Sequence, residues 1–125
     1  RGGAGRGAAL RAARATDDLA APLAFWGDGL GLAVLASLEN PAGFEGLVRG
    51  RPGASWHLEL TRHRGRPVAR LPAPDDLLLL CEPDEAAWRA RVARMRRAAF
   101  APVAPHDPWW EGPAETFTDP DGWRL

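Results

Sequence analysis

In WHLELTRHRG, residues 56–65, the polar side chains of His57, Glu59 and Thr61 alternate with Trp56, Leu58 and Leu60. A period of two is that of a strand, which sets His57, Glu59 and Thr61 on one face and the three apolar residues on the other. An imidazole and a carboxylate on one face can give two ligands to a divalent ion. They can also act as general base and acid if a partly dry cavity moves their pKa values into range. His57 and Glu59 are therefore the catalytic candidates, set against a plain alternative in which both lie on the wet side of a strand. A divalent ion needs several converging donors, so a single carboxylate is not a metal site.

The other reactive types are less well placed. Cys81 is the lone cysteine, which excludes an internal disulfide framework and a multi-cysteine zinc site. It ends an apolar run with no base beside it in sequence, so it reads as a small buried hydrophobe. His106, next to Asp107, reads as a solvated loop residue. HDPWWEGP sets Trp109 and Trp110 in a loop whose prolines forbid a central strand. Adjacent side chains on an extended segment diverge, so one indole is expected to look into a cavity and the other to lie at its rim or against a second subunit. No Ser/His/Asp order, phosphate-binding loop or dinucleotide fingerprint is present.

These residues need a scaffold, and 125 residues are enough for one domain with one core. Sixteen positive charges, all arginine, balance sixteen carboxylates, so no net field draws the molecule to nucleic acid or to an acidic membrane. The arginines of 89–97 suit the outer face of an amphipathic helix and lack interleaved aromatics that could stack bases. Arginine without lysine, with abundant Ala, Gly and Pro, suggests a GC-rich bacterial genome. Apolar stretches far shorter than a bilayer span, and a start without an apolar signal region, lead us to expect a soluble cytoplasmic protein. The first residue is not Met and Leu125 falls inside an unfinished element, so both ends are read as trimmed.

The pattern of elements repeats. Thr16 or Asp17 as cap, Pro22 in the first turn and Leu19, Leu23, Trp26 and Leu30 at helical spacing predict a helix closed by Gly29 and Gly31. LAVLASLE, GFEGLVRG and SWHLELT read as strands, the first two joined by the NPAG turn. DLLLLCE then reads as a buried strand. PDEAAWRARVARMRRAA reads as a helix with Trp88, Val92, Met95 and Ala99 on its packing face. FAPVA, AETFT and WRL follow as strands, the last two around a DPDG turn. Asp18 and Asp84 cap the two helices 66 residues apart, while Leu32 and Phe100 open the following strands 68 apart. This spacing predicts a duplicated βαβββ unit: module one at about 7–62, an Arg- and Pro-rich connector at about 62–75, and module two at about 75–125.

The order FWGDGLGL, HLELTRHRG, EPDEAAW, FTDPDGW resembles the vicinal oxygen chelate superfamily of glyoxalase I, bleomycin-resistance proteins and extradiol dioxygenases. The resemblance spans nearly the whole chain. It implies an α+β fold of two tandem βαβββ modules that form a curled mixed sheet around a cavity, usually within a homodimer. It also places a glyoxalase I metal ligand at Glu59. The other ligand positions fall on Arg11, on Leu77 and just beyond Leu125. Arginine and leucine cannot ligate, so the expectation is no metal cofactor, with Glu59 the ligand if a divalent metal is present. Either an Arg11–Glu59 ion pair with bidentate geometry takes its place, or Arg11 lies in a frayed N-terminal strand and points to solvent. The expected ligand is a flat or elongated organic molecule with a polar or basic group at Glu59, contacted also by Arg11, His57, Thr61, Leu77, Leu79, Trp109 and Trp110. The alternative is a lyase, isomerase or dioxygenase-type enzyme, metal-dependent or metal-free, that uses Glu59 and His57.

Overall fold

The computed structural model describes residues 8–68, 72–112 and 114–125. They form two compact units. One takes the chain up to Leu19 and again from Leu32 to the connector; the other takes Ala20–Gly31 and the chain beyond the connector. The first unit is a sheet and the second carries both helices, which makes the protein α+β.

In the first unit, β1 (Leu10–Ala15), β2 (Ala33–Glu39), β3 (Phe44–Gly50) and β4 (Trp56–His63) lie in the order β1-β4-β3-β2. β1 is parallel to β4 and the other pairs are antiparallel. The β2–β3 hairpin turns at Asn40, whose side-chain oxygen accepts from Ala42 N and Phe44 N. Gly43 stands there at φ 98°, a conformation that an L side chain rarely adopts. The alternation of β4 survives intact: Leu58 and Leu60 are each 1% exposed, while His57, Glu59 and Thr61 are half-buried.

The second unit opens with a π-helical segment, Leu23–Gly29, in which Leu30 N reaches back five residues to Phe25 O. Its buried stripe is Pro22, Phe25, Trp26, Gly29 and Leu30. The sequence pattern had named Leu23 for that stripe, but Leu23 is 40% exposed and Phe25 is fully buried instead. The wider turn re-aims the face by about one residue. Helix α1 (Glu85–Arg97) is capped by Asp84, whose carboxylate accepts from Ala87 N at 2.8 Å. The two helices touch where Gly29 meets Met95. A Cβ on Gly29 would stand 2.7 Å from Met95 Sδ, so the missing side chain sets the approach. Arg91 and Arg94 of α1 donate to Leu30 O and Asp28 O, carbonyls at the end of the π-helical segment.

The strands expected after residue 75 pair through single bridges: Leu77 with Arg124 in parallel, and Val103 with Thr116 and Thr118 with Arg124 antiparallel. Pro102 and Pro105 flank Val103 and have no N–H to give, which limits that segment to one bridge. The bridge pattern runs 77, 124, 116–118, 103, which is the β1-β4-β3-β2 order again. The duplication is therefore topological as well as sequential. Phe117 and Leu125 exchange both backbone hydrogen bonds across the DPDG turn. Asp119 at that turn is 4% exposed, and its carboxylate accepts from Trp26 Nε1 at 3.2 Å and from Asp121 N and Trp123 N at 2.9 Å.

Candidate functional site

The register of the first unit decides which side chains share a face. Arg11, Ala13 and Ala15 of β1 stand opposite His57, Glu59 and Thr61 of β4, and Gly46 and Val48 of β3 stand opposite Thr61 and Glu59. Small residues flank the polar row. A Cβ on Gly46 would lie 3.1 Å from Glu59 Oε2, and one on Gly50 would lie 2.9 Å from His57 Cδ2. The glycines thus let the carboxylate and the imidazole lie down over β3. Arg11 Nη1 is 3.2 Å from Glu59 Oε1, with the arginine side chain 51% and the glutamate 13% exposed. The expected ion pair is present, through one guanidinium nitrogen rather than the expected fork.

The remaining sequence-predicted residues belong to the second unit. Leu79, Cys81 and Trp110 line a cavity of about 290 Å³ together with Trp88, Val92 and Met95. Trp88 was expected to be a packing residue; here it faces a cavity. The charged part of this wall is Glu82, Arg91 and Glu115, with Arg91 Nη2 3.3 Å from Glu82 Oε2. Arg91 Nε is buried without a hydrogen-bond partner among the described residues. Leu77 lines a separate, smaller hollow with His106 and Trp110, because residues 77–82 do not form a regular strand and the expected two-residue alternation is lost. The two indoles diverge as expected: Trp110 is half-buried on the cavity wall and Trp109, on the same 3₁₀ turn Pro108–Trp110, is 75% exposed. Cys81, expected to be buried, is exposed.

A divalent metal of the kind that the superfamily carries does not fit the donor set at Glu59. One carboxylate oxygen already meets a guanidinium, the strand opposite supplies Ala13, and no three His, Cys, Asp or Glu side chains converge among the described residues.

Two family models match the chain: a YycE-like N-terminal domain over residues 10–61 and a YycE-like C-terminal domain over residues 75–125. The chain belongs to the YycE-like family of the vicinal oxygen chelate superfamily. The Bacillus subtilis YycE protein, itself of unknown function, is 32% identical over 94% of this chain and 85% of its own length, with a TM-score of 0.82. A glyoxalase/bleomycin resistance protein from Streptomyces sp. CB03234 is 25% identical, with 94% of this chain and 96% of that one covered and a TM-score of 0.62. An antibiotic-binding protein from the same Streptomyces strain shares the fold at 24% identity and a TM-score of 0.65, covering 94% of this YycE-like chain and 91% of its own. The fold is that of the glyoxalase/bleomycin-resistance proteins, as the order of motifs implies.

Two features of the YycE-like chain were not read from sequence. Asp119 has the sequence context of an ordinary turn residue, and only its pairing with a tryptophan 93 residues away makes it part of the core. His63 continues the two-residue row of His57, Glu59 and Thr61, a signal that was present in the sequence.

Proposed function

We propose that this YycE-like protein binds a small organic molecule without a catalytic divalent metal. The observation that carries the reading is the Arg11–Glu59 contact, which puts a cation against the carboxylate that a metal would need. Elemental analysis of the purified protein by mass spectrometry is expected to find far less than one transition metal per chain. One tightly held ion per chain, lost on Glu59→Ala, overturns the reading.

The second-unit cavity supports a small-molecule role. Its walls are mostly apolar, with the Glu82–Arg91 pair as a polar group, which is the usual composition of such sites. The antibiotic-binding protein of the same fold lends further support. The ligand class is a flat or elongated molecule with a polar group toward Glu82 and Arg91. A basic group aimed at Glu59 instead has to displace Arg11. An indole-fluorescence screen of planar amines, quinones and short oxo-acids tests this. Trp110→Ala is expected to weaken the hits by about 1–3 kcal/mol, and Trp109→Ala by less than about 0.5 kcal/mol. If all hits bind Trp110→Ala as tightly as the parent, the ligand is not in this cavity.

The working form is proposed to be a homodimer. β1 and β2 are the sheet edges, and Leu10 on β1 and Val34 and Leu38 on β2 are 72%, 50% and 50% exposed. Apolar side chains on an unpaired edge are what a second copy covers. Light scattering is expected to give twice the chain mass; a monomer at high micromolar concentration contradicts this.

A further inference from the structure

At the end of the His57–Glu59–Thr61 row, the chain after β4 doubles back over its own unit. Arg66 N donates to His63 O, and Val68 N donates to Asp17 Oδ1 at 2.8 Å. Beneath residues 66–68 is a cavity of about 370 Å³, whose lining includes Thr16, Phe44, Thr61, Arg62, His63 and Arg66. It lies wholly within the first unit.

The charges of this cavity are one-sided. Its lining holds two guanidinium groups, one imidazole and no carboxylate. Arg62 is held by Glu45 at 3.1 Å, from outside the lining. Arg66 makes no side-chain hydrogen bond or ion pair among the described residues. His63 Nδ1 is buried without a partner, and Cβ atoms on Gly43 and Gly65 would each lie 3.8 Å from the ring's Cε1. A ring nitrogen that carries a proton is a hydrogen-bond donor, and Nδ1 meets no acceptor among the described residues. Phe44, Pro67 and Val68 supply the apolar part of the wall.

We propose that this cavity is a binding site for a small organic anion, a carboxylate or phosphate ester whose charged end meets Arg66 and whose apolar part lies on Phe44 and Val68. A guanidinium presents a planar fork of donors that matches both anion types, and among the described residues no side chain occupies that of Arg66. The volume is within the range of small-molecule sites, about 300–1,000 Å³. The segment that roofs the cavity is the start of the connector, so the connector has a binding role besides joining two halves. This site is independent of the metal question at Glu59 and of the tryptophan-lined cavity.

Calorimetric titration of the full chain with benzoate and with phenyl phosphate tests the proposal, with benzamide as the neutral match. At least one anion is expected to saturate, with benzamide about tenfold weaker or worse. Arg66→Gln should weaken the anion by about tenfold with an unchanged melting temperature, since Arg66 is exposed and has no side-chain partner among the described residues to lose. His63→Gln should weaken it as well, whereas Trp110→Ala should not. The better of the two anions identifies the class of charged group. Failure of both anions to saturate by about 10 mM, equal binding of benzamide, or undiminished binding to Arg66→Gln overturns the proposal. Loss of anion binding in Trp110→Ala alone reassigns the ligand to the second-unit cavity and also overturns it.

Discussion

Trp26→Ala should lower the unfolding free energy by about 3–5 kcal/mol, the range for truncating a fully buried large aromatic. Trp26 is 1% exposed, with its ring edge-on to Phe25 at a centroid distance of 4.8 Å, and Phe25 in turn meets Phe100 at 5.0 Å. The indole N–H also holds Asp119. Truncation therefore opens a cavity and removes one of three donors from a buried carboxylate. Urea midpoints at constant m-value measure the loss. A change under about 1 kcal/mol would mean that this aromatic cluster is not the core of the second unit.

Asp119 adds a pH signature to the same cluster. Burial pushes its carboxyl above the usual carboxylate value of 3.8, and the neighbouring Asp121 charge pushes the same way. Hydrogen bonds from Trp123 N, the Trp26 indole and Asp121 N pull it back only in part. Between the ordinary value and the raised one, the folded chain holds a proton that the unfolded chain has released. The contribution of this group is then fully present below the ordinary carboxylate value and is lost as pH rises through the raised one. The stability of the parent relative to Asp119→Asn, which cannot titrate, should fall across that window. A flat difference from pH 3 to pH 8 would mean that Asp119 titrates as a solvated carboxylate. Taking the difference from the Asn variant cancels the pH dependence that the two chains share.

What was legible in the sequence follows physical lines. The row of β4 was readable because a half-buried strand keeps a strict period of two, and Leu58 and Leu60 against His57 and Glu59 leave no second solution. The Asp84 cap and the Asn40 turn were readable because each is a local hydrogen bond between near neighbours. The stripe of the first helix was misread at Leu23 because a π-helical turn leaves no mark on an α-helical spacing. The segment 77–82 was misread because a run of leucines carries no alternation. It looks the same whether it pairs throughout or, as here, bridges only at Leu77. The Arg11–Glu59 contact came from aligning the superfamily's ligand positions, not from periodicity, and the geometry then showed one nitrogen where two were expected. The cavity under residues 66–68 was invisible because a fold-back by way of Asp17 and Val68 depends on a contact 51 residues long.

Leu58→Ala should cost about 2–5 kcal/mol, while Glu59→Gln, one residue on, should cost no more than about 1 kcal/mol. Leu58 is 1% exposed, so truncation leaves a void whose cost depends on how far its surroundings collapse. Glu59 keeps its size as glutamine. It loses only an ion pair whose arginine is half in solvent, where screening and side-chain entropy leave little net gain. The contrast tests the register itself. A slip of one residue in the pairing of β4 with β1 and β3 would turn every side chain to the other face, moving Glu59 away from Arg11 into the apolar layer and exposing Leu58. Thermal or urea unfolding of both variants would then give the reverse order, with Glu59→Gln stabilising by relieving a buried charge. The observed register puts Arg11 beside Glu59 and leaves Leu58 dry, and only that arrangement makes the leucine costly and the glutamate cheap to change.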